Sequence, residues 1–174
     1  MKRKIGIVAF VAFILLDIVL IYYFAQSYQE KKTVTEKIEV LPSFSLEDVY
    51  GAVFTEKSIP SENWIVVVFF NSECDYCQSE AEQLSELKSG IEDIRFLWIS
   101  SEPIETIRHF QKANNLEEIT FLHDEQNKIA QEWGISTTPQ FLIYTPQKRL
   151  FKNHKGALRI DHLIKQLEDA AQTN

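Results

Sequence analysis

Trp64-Ile65-Val66-Val67-Val68-Phe69-Phe70 leads through Asn71-Ser72-Glu73 into Cys74-Asp75-Tyr76-Cys77, and then into Gln78 to Lys88. The first run is β-branched and aromatic, the composition of a buried strand. After the cysteines, Ala81, Leu84 and Leu87 recur at helical spacing. The dithiol therefore sits where a strand ends and a helix begins. A helix N-terminus carries unpaired N–H groups and a positive partial charge, both of which favour a thiolate. Cys74 and Cys77 are the only cysteines of the chain, an arrangement suited to making and breaking one disulfide.

Other chemistries use the same spacing. Zinc normally takes four ligands, yet there is no second cysteine pair, and His109, His123, His154 and His162 show no H-x-x-x-H spacing. A structural disulfide across so short a loop removes little entropy from the unfolded chain. Cu(I) suits two thiolates and a histidine, with His123 as the candidate third ligand. The plainer reading of His123 is a loop histidine after a short strand.

Outward from this stretch, strands and helices alternate. Phe44-Ser45-Leu46 and Val53-Phe54 flank a turn at Asp48 to Gly51, which gives an opening hairpin. Ile94 to Ile99 is a second strong strand. Pro103 to Asn114 reads as a helix with proline at a tolerated early position. Ile119–Leu122 is a short strand, and Glu125–Trp133 a short helix ending at Gly134. Gln140 to Tyr144 is a strand, Thr145 to Lys148 a turn, Arg149 to Lys152 an edge strand, and Arg159 to Ala171 a closing helix. The pattern predicts an α/β fold with helices on both faces of a sheet.

The N-terminus has a different character. Residues 1–4 include Lys2, Arg3 and Lys4; residues 5–25 are apolar apart from Asp17. About 20 such residues span a bilayer, whereas a cleavable signal peptide has a shorter apolar core. Ala25-Gln26-Ser27 is a faint cleavage site. The expectation is one retained transmembrane signal-anchor over 5–25, with residues 1–4 cytoplasmic by the positive-inside rule. Lys31 and Lys32 weaken that asymmetry without reversing it. Asp17 reads either as a contact with a membrane partner or as a tolerated carboxyl. Residues 26–39 form a polar tether. Residues 40–174 remain for a single extracytoplasmic domain, enough for a sizeable core. The net charge of −7, with no basic cluster beyond the anchor flank, argues against nucleic-acid binding.

Three blocks of sequence together resemble the membrane-anchored TlpA/ResA-type thiol–disulfide oxidoreductases of bacteria, which have a thioredoxin-like fold. Leu41-Pro42-Ser43-Phe44-Ser45-Leu46-Glu47-Asp48 with Gly51 resembles the opening hairpin. Phe69 to Cys77 with Glu80 resembles the strand, active site and first helix. Trp133 to Ile143 resembles the proline loop and the strand after it. The resemblance implies a central mixed sheet flanked by helices over roughly residues 40–172. It implies Cys74 as the exposed nucleophile and Cys77 as the resolving thiol. It also implies a cis Pro139, with Thr138 offering its backbone to a substrate strand. Tyr76 is the third expected substrate contact. Neither a cofactor nor a metal is implied.

Two positions depart from the family pattern: Glu73 stands where the family often has Trp, and Tyr76 where it often has Pro. Glu73 and Asp75 set negative charge beside Cys74, which opposes the helix-terminus effect. Glu80 falls three residues after Cys77, on the same side of the helix. A carboxyl at the edge of a buried face can have a raised pKa and exchange a proton with a thiol. Its plainer reading is a solvated first-turn glutamate.

The expected activity is disulfide reduction outside the cytoplasm, with protein disulfides, apocytochromes c among them, as acceptors. A membrane electron-carrying protein is the implied donor. Two rival functions use the same residues. A peroxiredoxin-like antioxidant activity would want Thr-x-x-Cys, where this chain has Asn71 in the Thr position. The other rival is a non-enzymatic copper-binding or docking module.

Overall fold

The computed structural model describes residues 13–26, 35–87 and 91–172. The chain divides into two compact units, residues 1–37 and 38–174. In the first, residues 13–26 are helical. Among the described residues, no helix is long and apolar enough to cross a membrane. The basic flank Lys2-Arg3-Lys4, the apolar residues 5–12 and the tether residues 27–34 lie outside the described residues.

In the second unit the described strands form one sheet in the order β2-β1-β5-β4-β3-β6-β7. The strands are β1 Ser45–Asp48, β2 Val53–Thr55, β3 Trp64–Phe69, β4 Ile94–Ser100, β5 Thr120–His123, β6 Gln140–Tyr144 and β7 Leu150–Lys155. The helices are α1 Asp75–Glu86, α2 Ile104–Ala113, α3 Lys128–Glu132 and α4 Ile160–Gln172. β3 runs parallel to β4 and antiparallel to β6. It is therefore a central strand with every residue buried, which explains its unbroken apolar sequence.

Side-chain alternation divides the core. Trp64, Val66, Val68 and Phe70 face a cluster with Ala81 and Leu84 of α1, Ile107 and Phe110 of α2, and Ile160, Leu163 and Leu167 of α4. Ile65, Val67 and Phe69 face Ile129, Ala130 and Trp133 around α3, together with Ile38, Leu41 and Phe44. Ile38, which the sequence assigns to the polar tether, is thus part of this core. The mixed sheet, flanking helices and N-terminal hairpin are those the resemblance implies.

The differences are local. α3 starts at Lys128 rather than Glu125, because the Asp124 carboxylate accepts hydrogen bonds from the N–H groups of Lys128, Ile129 and Ala130. Asn127, at φ 54°, makes the turn into the helix. β5 lies one residue later than expected, in register with both β4 and β1. β7 continues to Lys155 because β6 offers a partner as far as Gln140.

Candidate active site

Phe70 closes β3 by donating its N–H to the Ile99 carbonyl at 3.1 Å, and the chain then turns into α1. Three contacts shape that turn. The Ser72 N–H and hydroxyl donate to the two carboxylate oxygens of Glu102, at 2.8 and 2.6 Å. The Gln78 amide donates to the Ser72 carbonyl at 2.9 Å. The Asn71 side chain accepts from the Glu73 N–H at 3.0 Å. The two bonds to Glu102 are charge-assisted, a short and strong kind, so the loop ahead of the dithiol is held firmly at Ser72.

Cys74 follows as the N-cap of α1. Its carbonyl accepts the first helical bond, from Gln78 at 3.0 Å, and its side chain caps nothing. The thiol is therefore free to point out of the helix. Its Sγ lies 3.7 Å from the Thr138 carbonyl oxygen, toward which it donates. Cys74 is half-buried, whereas Cys77, one turn later, has no exposure. Both are free thiols. Burial pushes the Cys77 thiol pKa well up, and the nearby Cys74 and Glu80 push it the same way. A backbone hydrogen bond from Asn71 acts against them.

Glu80 is only 2 % exposed, so it is not the solvated first-turn residue of the plainer reading. One carboxylate oxygen accepts the Leu158 N–H at 2.7 Å. The other has no partner among the described atoms. Burial raises its pKa to about 7, against the lowering effect of the Leu158 bond. A carboxyl that titrates near neutrality beneath a buried thiol can accept and return a proton.

The opposite wall is the loop between α3 and β6. The Thr138–Pro139 peptide is cis. Pro139 is buried, Thr138 is exposed, and the Pro139 carbonyl accepts from the Gly156 N–H at 2.8 Å. The structure therefore brings Cys74, Cys77, Glu80, Thr138 and Pro139 to one end of the sheet. Tyr76 is 62 % exposed on α1 beside them. His123 is not joined to the cysteines: it pairs with Ser100 and Glu47 in the sheet. Among the described residues no three His, Cys, Asp or Glu side chains gather to hold a metal ion. Ser72, Glu102 and Leu158 are site residues that the sequence reading missed. Their partners are 30 and 78 residues away in the chain, and no local pattern signals such pairs.

A dithiol at the start of the helix after a central strand, facing a cis-proline loop, defines a redox protein of thioredoxin-like fold. The chain belongs to the AhpC/TSA family, whose family model matches residues 39–164. No curated protein matches it in sequence. Solved structures share the fold at low identity. MTB dsbF, in mixed oxidised and reduced forms, is 17 % identical with a TM-score of 0.65; the match covers 76 % of this chain and 96 % of that one. A secreted Mycobacterium tuberculosis disulfide oxidoreductase homologous to E. coli DsbE is 22 % identical with a TM-score of 0.63, covering 77 % and 98 %. StoA from Bacillus subtilis is 18 % identical with a TM-score of 0.60, covering 74 % and 98 %.

Proposed function

We propose that the protein is an extracytoplasmic thiol–disulfide oxidoreductase that reduces disulfides in other proteins. The observation that carries this reading is the unequal placement of the two thiols: Cys74 at the rim against Thr138, and Cys77 buried above Glu80. The Cys74 thiolate attacks one sulfur of a substrate disulfide. The other substrate sulfur leaves as a thiolate and takes up a proton. Cys77 then gives its proton to Glu80 and attacks the Cys74 sulfur, and the second substrate thiolate departs. Two electrons pass to the substrate, and the protein is left with a Cys74–Cys77 disulfide. Thr138 presents its backbone to the substrate strand, and the exposed Tyr76 ring flanks that approach.

Regeneration in an oxidising compartment needs a dedicated reductant. We assign that role to a membrane electron-carrying protein, with apocytochromes c among the acceptors. Residues 5–25 anchor the chain in the bilayer, and the basic residues 2–4 keep that end in the cytoplasm.

The test is reduction of a protein disulfide by the pre-reduced full chain, followed by thiol alkylation. Wild type should transfer one pair of electrons per molecule, and Cys74→Ser none. Hydrogen-peroxide consumption in place of disulfide reduction would replace this reading with a peroxidase. Stoichiometric Cu(I) uptake with no disulfide reduction would replace it with a copper-binding module. Carbonate washing and protease access in spheroplasts test the anchor: release into the soluble fraction would point to cleavage after Ser27.

A further inference from the structure

Gln140, directly after the cis proline, is polar and has no exposure. It sits on the face of β6 that continues through Leu142 and Tyr144 into the α3-side core, a position where an apolar residue would pack. Both ends of its amide are engaged. Its carbonyl oxygen accepts from the Ser136 N–H at 3.2 Å, and its NH₂ donates to the Asn153 side-chain oxygen on β7 at 2.9 Å. The orientation is forced: Ser136 offers a donor, so the amide oxygen must face it, which leaves the NH₂ for Asn153. In the β6–β7 register, Leu142 pairs with Asn153 and Gln140 with Lys155, so Asn153 is the diagonal neighbour of Gln140.

The position of these bonds in the loop matters more than their number. The Pro139 carbonyl is fixed by the Gly156 N–H. The Ser136 N–H is fixed by Gln140. Only Thr137 and Thr138 lie between the two anchors, both exposed, and the Thr138 carbonyl is the group that meets Cys74. Lys155 also reaches the Ser136 hydroxyl, at 2.7 Å, but from an exposed side chain whose bond competes with water. The buried amide is the firmer tie.

We propose that Gln140, oriented by Asn153, is a positioning residue that holds loop 136–138 in the geometry a substrate strand needs. It thereby sets affinity for protein and peptide disulfides without touching the sulfur chemistry. The proposal rests on the reading of Thr138 as the strand that receives substrate. A small disulfide that makes no strand contact should be indifferent to the loop. Gln140→Met keeps the volume but leaves the Ser136 N–H without its acceptor. Asn153→Leu, at an exposed position, removes the orienting partner. Asn153→Asp keeps an acceptor for the Gln140 NH₂.

The experiment measures, on the full chain, steady-state reduction of a disulfide-bonded peptide and of hydroxyethyl disulfide, with dithiothreitol returning the Cys74–Cys77 disulfide to the dithiol and the rate without protein subtracted. The expected result for Gln140→Met and Asn153→Leu is a KM for the peptide raised about five- to tenfold, the worth of one neutral hydrogen bond. The peptide kcat, the rate with hydroxyethyl disulfide and the midpoint potential should stay at wild-type values, and Asn153→Asp should restore the peptide KM. An unchanged peptide KM in Asn153→Leu, or equal losses on both substrates, would overturn the proposal and leave Gln140 as packing alone. A wild-type chain that reduces neither disulfide would fail at the earlier step, the oxidoreductase reading itself, and take this proposal with it.

Discussion

The rim of the site around Cys74 and the floor beneath Cys77 are one helical turn apart, yet they differ in each property that governs a thiol. At the rim, Cys74 caps a helix, is half-buried and meets a main-chain carbonyl at 3.7 Å. Exposed Glu73, Asp75 and Tyr76 surround it. On the floor, Cys77 is sealed among Ala81, Leu84 and Val68, beside the Cys74 thiol and within the electrostatic reach of a carboxyl that titrates near neutrality. One sequence motif thus yields a thiol that can be reached and a thiol that must be unlocked. The two sulfurs lie on the same side of α1, and depth produces the difference: Cys74 caps the open end of the helix, and Cys77 lies one turn in, packed against the sheet.

The sharpest way to break that contrast is to remove each thiol in turn. Cys77→Ser should accumulate covalent mixed disulfides in cells, because Cys74 can attack but nothing resolves the product. Cys74→Ser should accumulate none. Non-reducing gels after acid quenching give the answer, and equal trapping by both variants would mean the floor is as open as the rim.

A second expectation concerns redox poise. No Lys, Arg or His lies between residues 71 and 80, and Glu73 and Asp75 flank the rim thiol. The reduced form therefore gains little charge stabilisation, and the couple should lie nearer about −270 mV than the roughly −120 mV of a strong oxidant. Equilibration against glutathione or dithiothreitol buffers measures it. A value near the upper figure would favour an oxidase role.

Much of the rim was legible in the sequence, and much of the floor was not. A strand-to-helix junction, a C-x-x-C and a proline before a strand are local signals. They place Cys74, Cys77 and Pro139 together because each carries its own secondary-structure context. The register of Glu80 with Cys77 was also local, so its place on the inner side of α1 could be anticipated. Its bond to Leu158 could not, because that contact depends on how the segment before α4 packs. The same holds for Ser72 with Glu102 and for Gln140 with Asn153: each is a polar pair between loops or strands, with no periodicity to announce it. The late start of α3 belongs here too. Asp is a favoured cap residue, so Asp124 suits a helix that starts at Glu125, and only the fold shows that its carboxylate instead accepts from the three N–H groups of residues 128–130.

The floor can be probed more finely through Glu80. If it accepts the proton of Cys77, Glu80→Gln should slow resolution of the mixed disulfide about a hundredfold at pH 7, within the usual range for a general base. The initial attack by Cys74 should change little. Stopped-flow separation of the two steps checks this. A pH–rate profile identical to wild type would return Glu80 to a purely structural place.

The smallest expected effect is on stability, and its sign follows from linkage. Glu80 titrates near 4.5 when exposed and at about 7 in the folded protein. Below pH 4.5 the carboxyl is protonated in both states, and burying it costs nothing extra. Between 4.5 and 7 the folded protein keeps a proton that the unfolded chain has released, so stability falls as pH rises. Above 7 both states are ionised and the loss is complete, at about 3 kcal/mol for a shift of this size. Glu80→Gln removes the titration while its amide oxygen can still accept the Leu158 N–H. Urea unfolding at pH 5 and pH 8 should therefore show wild type losing roughly 2–3 kcal/mol relative to the variant across that interval, part of the loss having occurred already by pH 5. Parallel losses in the two proteins would mean that Glu80 is hydrated in the folded state, and the contrast between a wet rim and a dry floor would fail with it.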